Sequence, residues 1–333
     1  MNLSLFQYSY PPERIAQHPL SERDASRMMV LQRPTSEHML TGNICHEWVK
    51  NLPEYLRAGD LLVFNDTKVF PARLIAGKIE ILLLETTGQK TWTCLAKPLK
   101  KIKEGMELVF SESLKGVITK KTAEELEIKF ETDDLEKELE KIGLPPLPPY
   151  IKRKSAADYT PEDRERYQSI FARHKGSAAA PTASLHFSEK LLETIKAKGI
   201  ETAYCTLHVS RDTFLPIREE EVMRHKMHGE HFHVPEETKE KIGQTKKNGG
   251  RVIAVGTRRC ELWRATGASR SPIIIYTPAT PSKSSTASLP IFTSPHPPFS
   301  SWSPPLPAEN SSCNLIKKRY PSATDCSASA IAC

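Results

Sequence analysis

Leu61-Leu62-Val63-Phe64-Asn65-Asp66-Thr67 is an apolar run that breaks into a polar triplet, and its reading decides the fold. With the turn-forming Ala58-Gly59-Asp60 in front, it predicts a buried strand running into a loop. Loops at strand ends are where sites are built. A second buried strand is predicted at Arg251-Val252-Ile253-Ala254-Val255-Gly256. Between the two, Ser188 to Lys198 places Leu191, Leu192 and Ile195 at helical spacing, with Ser188 and Glu189 to open the helix and Gly199 to end it. Thr202 to Val209 then reads as a strand, and Pro235-Glu236-Glu237-Thr238 opens a helix that runs to the Asn248-Gly249-Gly250 stop. Helices alternating with strands imply an α/β layered main domain.

Working outward from Thr67, short β-like stretches follow at Lys78 to Glu85, Thr91 to Ala96, Glu107 to Phe110, Gly116 to Thr119 and Glu127 to Phe130. Strands at this spacing suggest a small antiparallel barrel or sandwich, closed by a helix over Asp133 to Lys141. The prolines of Leu144-Pro145-Pro146-Leu147-Pro148-Pro149-Tyr150 force an extended crossover back to the main domain. The expected fold is an α/β main domain (1–70 and 148–257) interrupted by a small antiparallel β-barrel domain (71–147). A Ser/Pro-rich tail (258–333) of disorder composition, without regular structure, follows.

Composition sets the outer bounds. A length of 333 residues suggests about two domains of roughly 150 residues. The longest apolar runs are a handful of residues, against about twenty for a membrane helix. The start, Met1-Asn2-Leu3-Ser4-Leu5-Phe6, has neither a basic beginning nor an apolar core, so a cytoplasmic protein is expected. Seven cysteines (Cys45, Cys94, Cys205, Cys260, Cys313, Cys326 and Cys333) without a paired C-x-x-C spacing read as reduced thiols rather than a disulfide or zinc framework. A net charge of +7 favours an anionic partner.

Four clusters carry candidate chemistry. Arg23-Asp24-Ala25-Ser26-Arg27 is either a solvated charge run or a turn presenting two guanidiniums to phosphate or carboxylate. Phe64 to Arg73 is either an Asx-turn joining strands or a loop that aims Asp66 and Arg73 at a ligand. Gly176 to Phe187 is rich in small residues that either pack or let a ligand approach the backbone ahead of a helix N-terminus. His225-Lys226-Met227-His228-Gly229-Glu230-His231-Phe232-His233 is a set of metal ligands, a mostly structural cluster or, the favoured reading, a source of acid–base or substrate contacts through His225, His228 and Glu230. Its spacing is not that of a helix-borne zinc site.

These segments, with Ile15-Ala16-Gln17, Pro71-Ala72-Arg73, Pro146 to Ile151, Arg166-Tyr167-Gln168, Ala179 to Ala183, Leu185-His186-Phe187 and Gly250 to Thr257, resemble the S-adenosylmethionine:tRNA ribosyltransferase-isomerases of queuosine biosynthesis. The likeness runs from Leu3 to Thr257. It implies transfer and isomerisation of the ribosyl part of S-adenosylmethionine onto 7-aminomethyl-7-deazaguanine at the wobble position of tRNA, giving epoxyqueuosine. S-adenosyl-L-methionine is then the co-substrate, no metal is involved, and the expected state is a monomer. A sulfonium acidifies the adjacent ribose carbon, so a base is required there; His186, His208 and His228 are the candidates. Asp66, Arg73, Thr182, His225 and Glu230 are expected at the substrate, and Arg23, Arg27, Lys97, Lys100 and Lys101 at tRNA phosphates.

The chain also departs from the family pattern. Ser184, Ser210 and Asp212 stand where the family carries glycine, so each adds a Cβ where a positive φ or the close approach of a ligand is expected. After Thr257 the family's closing motifs vanish. Yet joining each codon's third base to the first two bases of the next lets Leu262-Trp263-Arg264-Ala265 spell Leu-Glu-Ser, and Pro290-Ile291-Phe292-Thr293-Ser294-Pro295 spell Asn-Phe-His-Leu-Pro. The segment reads as an out-of-frame translation of the family's own C-terminus; a gene with no restorable frame beyond the Thr257 codon removes that reading. The alternative function is a catalytically inactive remnant that only binds tRNA.

Overall fold

A computed structural model of the protein describes residues 11–31, 44–209, 231–256 and 274–276. Strands β1 (Arg27–Leu31) and β2 (Ile44–Trp48) pair antiparallel, and a 3-10 segment, Val49–Tyr55, leads from them into β3 (Leu61–Asn65). Every residue of β3 is buried. Leu62 and Phe64 join one core with Met28, Val30, Leu52, Leu191, Ile195 and Ile253, while Leu61 and Val63 join another with Ala203, Cys205, Leu207 and Ile242. A strand apolar at consecutive positions suits a sheet covered on both faces.

A one-residue break at Asp66 separates β3 from β4 (Thr67–Val69). The chain then makes a six-stranded antiparallel sheet from β5 (Arg73–Ala76), β6 (Ile79–Gly88), β7 (Thr91–Lys97), β8 (Glu107–Val109), β9 (Lys115–Lys121) and β10 (Leu126–Glu131), in the order β5-β6-β7-β10-β9-β8. Its core gathers Leu74, Ile81, Leu83, Cys94, Ile118, Ile128 and Phe130, with Leu139 of α1 (Leu135–Ile142) against it. The sheet is barrel-like and nearly closed, in keeping with the small antiparallel β-barrel expected of this stretch. Among the described residues no ladder joins the edge strands β5 and β8. The outer edge of β5 is taken at Arg73 by Leu144, through N–H to carbonyl bonds of 3.1 and 2.8 Å in both directions. That contact brings the two ends of the inserted stretch together. A Cβ on Gly143 would lie 2.4 Å from the Pro71 carbonyl oxygen, so glycine is required where the returning chain passes the departing one.

Beyond the crossover come α2 (Pro161–Arg166), β11 (His174–Ser177), α3 (Glu189–Ala197), β12 (Glu201–Leu207), β13 (Phe232–His233), α4 (Glu236–Lys247) and β14 (Val252–Ala254). β12 and β14 flank β3 in parallel, and β13 adds antiparallel to β12. Leu191 and Ile195 of α3 cover one face, Ile242 of α4 the other, so the α/β layering is present. Ser188 caps α3 by accepting from the Leu191 N–H at 3.0 Å, and Gly199 ends it at φ +75°.

The expectation of a tail without regular structure is corrected at one point: β15 (Ile274–Tyr276) pairs antiparallel with β1. The run Ile273-Ile274-Ile275-Tyr276 is β-branched and aromatic, and supplies strand propensity inside a Ser/Pro-rich context. The rest of 258–333 lies outside the described residues.

Candidate active site

Asn65 locks the C-terminal end of β3 to that of β12. Its amide donates to the Leu207 carbonyl at 2.9 Å, and its oxygen accepts from the N–H groups of Leu207 and Thr67, both at 3.0 Å. The Thr67 contact is the Asx-turn that the sequence suggested, and it throws Asp66 and Thr67 out at the end of the parallel strands, where α/β proteins place their sites. Asp66 is buried; its Oδ1 accepts from the Thr206 hydroxyl at 2.7 Å, and its Oδ2 lies 3.6 Å from Nε2 of the exposed His174.

His208 completes the cluster. Its Nδ1 is 2.8 Å from the Thr67 hydroxyl, and its backbone N–H donates to the His231 carbonyl at 3.0 Å. Gly176, at φ +142°, lies against the ring: a Cβ there would meet His208 Cε1 at 2.8 Å and both ring nitrogens at 3.0 Å. Beside it, the Ser177 hydroxyl donates to the Ala179 carbonyl at 2.7 Å and accepts from the Val209 N–H at 2.9 Å, which pins β11 to the end of β12. Burial, then the nearby His231 and His174, lower the proton affinity of His208, and Asp66 works in the opposite direction. A neutral imidazole with a hydrogen-bonded Nδ1, beside a buried carboxylate, can take a proton from a bound substrate.

The other expected site residues fall elsewhere or do other work. His186 is buried, pushed down to about 4 by desolvation, and contacts the backbone of Arg23; its described contacts share no residue with those of His208. Arg23 donates to the carbonyls of Leu185, Glu165 and Arg166 at 3.1, 3.3 and 3.4 Å, so its guanidinium is held by backbone oxygens. Arg27 begins β1, half-buried. Arg73 pairs with Glu80 and donates to the Leu147 carbonyl at 2.9 Å, tying the crossover to β5. Thr182, Lys97, Lys100 and Lys101 are exposed, the last two in a 3-10 turn, Leu99–Lys101, just past the end of β7. His225, His228 and Glu230, with Ser210 and Asp212, lie outside the described residues. Among the described residues no group of three or more histidine, cysteine or acidic side chains could hold a metal ion, and no helix is long and apolar enough to cross a membrane.

Several motif residues act as staples. Gln17 donates to the Tyr150 carbonyl at 3.1 Å and accepts from the Lys152 N–H at 2.7 Å, and Gln168 brackets the backbone of Val69 at 3.1 and 2.6 Å. The helix N-terminus after the small-residue stretch already has an anion from this chain: the Ser188 hydroxyl donates to Asp24 at 2.7 Å. Ser184 does not take a left-handed backbone conformation, so of the two reasons for a glycine there the positive φ does not apply. Its hydroxyl instead is buried without a hydrogen-bond partner. Thr67, Thr206, His174 and Gly176 were not singled out from the sequence as site residues. Thr67 and Gly176 sit inside quoted motifs, whereas Thr206 meets Asp66 across 140 residues and leaves no local signal.

Comparison with known proteins places the chain in a family. The family profile described as "Queuosine biosynthesis protein" matches residues 3–298, past Thr257, where the likeness was expected to stop. A protein of Acetivibrio thermocellus named S-adenosylmethionine:tRNA ribosyltransferase-isomerase is 44% identical over 279 residues, spanning 80% of this chain and 77% of its own length. Proteins of the same name from Caldanaerobacter subterraneus subsp. tengcongensis and Thermosipho melanesiensis are 45% and 46% identical, each over 77% of this chain and 74% of their own. A crystal structure titled S-adenosylmethionine tRNA ribosyltransferase, from Thermotoga maritima, is 33% identical, spanning 81% of this chain and 76% of that one, with a TM-score of 0.36, too low an overlap to carry the fold. By the extent of its profile match and its identity to these relatives, this chain belongs to the queuosine biosynthesis family of S-adenosylmethionine:tRNA ribosyltransferase-isomerases.

Proposed function

We propose that this chain transfers and isomerises the ribosyl moiety of S-adenosylmethionine onto 7-aminomethyl-7-deazaguanine at the wobble position of tRNA. The products are epoxyqueuosine-tRNA, adenine and methionine. The observation that carries the reading is an identity of 44 to 46% with proteins of that name over about four-fifths of the chain. The inactive-remnant alternative has no comparable observation in its favour.

The cluster at the ends of β3, β4, β11 and β12 supplies groups the reaction needs. The ribose carbon bonded to a sulfonium carries an acidified proton, and His208, neutral and partly desolvated, is the base we assign to it. Asp66, fixed by Thr206, is suited to a sugar hydroxyl: a buried carboxylate with a defined orientation accepts such a bond strongly. His186, enclosed and contacting Arg23, fits a structural role better than proton transfer. The exposed Lys97, Lys100 and Lys101 are free of such internal work in a way Arg23 and Arg73 are not, and suit tRNA phosphates.

The test is incubation of the full chain with S-adenosylmethionine and tRNA carrying the 7-aminomethyl-7-deazaguanine base. Adenine release in step with formation of modified tRNA is expected. Salt-sensitive tRNA binding without adenine release would instead establish the inactive remnant.

A further inference from the structure

The Thr67 hydroxyl has one proton and two neighbours. It lies 2.8 Å from His208 Nδ1, and it is placed to donate to the His174 carbonyl at 3.5 Å. Both contacts are hydrogen bonds at once in a single arrangement: the hydroxyl gives its proton to the carbonyl and accepts from an N–H on Nδ1. Were the hydroxyl to donate to Nδ1, nothing would remain for the carbonyl. In that arrangement the neutral ring carries its proton on Nδ1 and its lone pair on Nε2, for which no described residue supplies a hydrogen bond.

The frame around this contact is rigid. Thr67 is fully buried, its N–H is held by Asn65, and β4 is paired with β11 through His174 and Thr67 themselves. A Cβ on Gly176 would stand against the ring, so His208 is seated with the Thr67 hydroxyl at Nδ1 and the bare backbone of Gly176 along its edge. A ring held at one nitrogen and along its Cε1 edge has its direction fixed, and its tautomer then follows from which way the Thr67 hydroxyl points.

We propose that Thr67 is a positioning residue that holds His208 as the Nδ1–H tautomer and so presents Nε2 as the basic nitrogen. The kinetic part of this inference rests on the functional reading above; the tautomer itself does not. The experiment uses the full chain labelled with ¹⁵N-histidine, with His208 assigned by difference from His208→Gln. Long-range ¹H–¹⁵N spectra above pH 7 distinguish the two neutral tautomers directly. The expected result is Nδ1–H in the wild type and in Thr67→Ser, which keeps the hydroxyl, with loss of that bias in the near-isosteric Thr67→Val. In adenine-release assays, Thr67→Val should lower kcat on the order of 10- to 100-fold, part of the ~10²–10⁴ that a well-placed base contributes, with little change in KM, and Thr67→Ser should recover it. A wild-type His208 protonated on Nε2 overturns the proposal whether or not the variants fold. So does a Thr67→Val protein with unchanged tautomer, or with unchanged kcat in a preparation whose wild type is active. A wild type that releases no adenine refutes the activity assigned to the chain and leaves the tautomer measurement to decide the role of Thr67.

Discussion

Burial lowers the proton affinity of both His186 and His208, but only at His208 does the ring keep company with other functional groups. His186 therefore reports on folding. Its pKa falls from 6.5 to about 4 in the native state, so between those values the unfolded chain binds the additional proton. The stabilisation from keeping this ring neutral is fully present above pH 6.5 and is lost as the pH falls toward 4; the displacement corresponds to about 3 kcal/mol. Denaturant titrations of the wild type and His186→Asn across pH 4 to 7 should show a stability difference that grows with pH in this window, and parallel curves would refute it. Ser184 offers a second test, because its hydroxyl is fully buried and unpaired. Removing an unsatisfied buried hydroxyl relieves a desolvation cost, so Ser184→Ala should raise the unfolding free energy by about 1 kcal/mol, read from the denaturation midpoint. At this scale the sequence was partly legible. Asp66 announced itself because Asn-Asp-Thr interrupts an apolar strand, whereas Arg23 and Arg73 looked like ligand-binding guanidiniums. Nothing local reveals that the carbonyls of Leu185 and Leu147 await them.

Elements were legible in proportion to how much of their stabilisation is written locally. β3, α3 and α4 declare themselves through an apolar run, a Ser188 cap, and Pro235 with paired acids at the start and lysines at the end. The six-residue α2 also carries local signals, a capping box between Thr160 and Asp163 with Pro161 at its start, but β1, β2 and β11 do not: β1 begins in what reads as a charge cluster, and β11 is His-Lys-Gly-Ser. Such elements exist because neighbours pair with or pack on them, a tertiary effect that outweighs propensity. The attachment of β14 to β3 shows the same dependence. Asp60, just before β3, has a fully buried side chain that accepts from Arg57 N–H at 2.9 Å and pairs with Arg251, just before β14. Desolvation alone would raise its pKa, but the hydrogen bonds from Arg251 and Arg57 outweigh it and hold the carboxyl below its usual range. Asp60→Ala leaves the half-buried guanidinium facing an emptied site and frees the start of β14, so a loss of about 3 kcal/mol is expected in urea denaturation. A change under about 1 kcal/mol would show that the pair is as dispensable as an exposed one.

The molecule as a whole joins a two-faced α/β sheet to a nearly closed antiparallel sheet that leaves and returns at one place, Pro71 to Arg73 against Gly143 and Leu144. Composition alone could give neither that closure nor β15, whose three residues of the tail pair with β1. What composition did give is the excess of positive charge, and charge acts at the scale of the whole surface. Arg23 and Arg73 are engaged with the chain's own oxygens, so the tRNA contribution is expected from cations that face solvent. Lys97, Lys100 and Lys101 are exposed and close together in sequence, at a backbone bend that includes a cis peptide bond before Pro98. Each lysine that neutralises a phosphate releases counterions, and losing one makes the dependence of log affinity on log salt shallower by about 0.7 to 0.9. If all three meet phosphates, the triple alanine variant should bind tRNA with a salt slope shallower by about 2 to 3, measured by titration from low to moderate salt. Because these side chains belong to the end of β7 and the 3-10 turn after it rather than to the Asp66 and His208 cluster, the KM for S-adenosylmethionine should stay unchanged while the KM for tRNA rises. An unaltered salt slope would move the phosphate contacts to another face, and an altered S-adenosylmethionine KM would mean that this end of the sheet reaches the site itself.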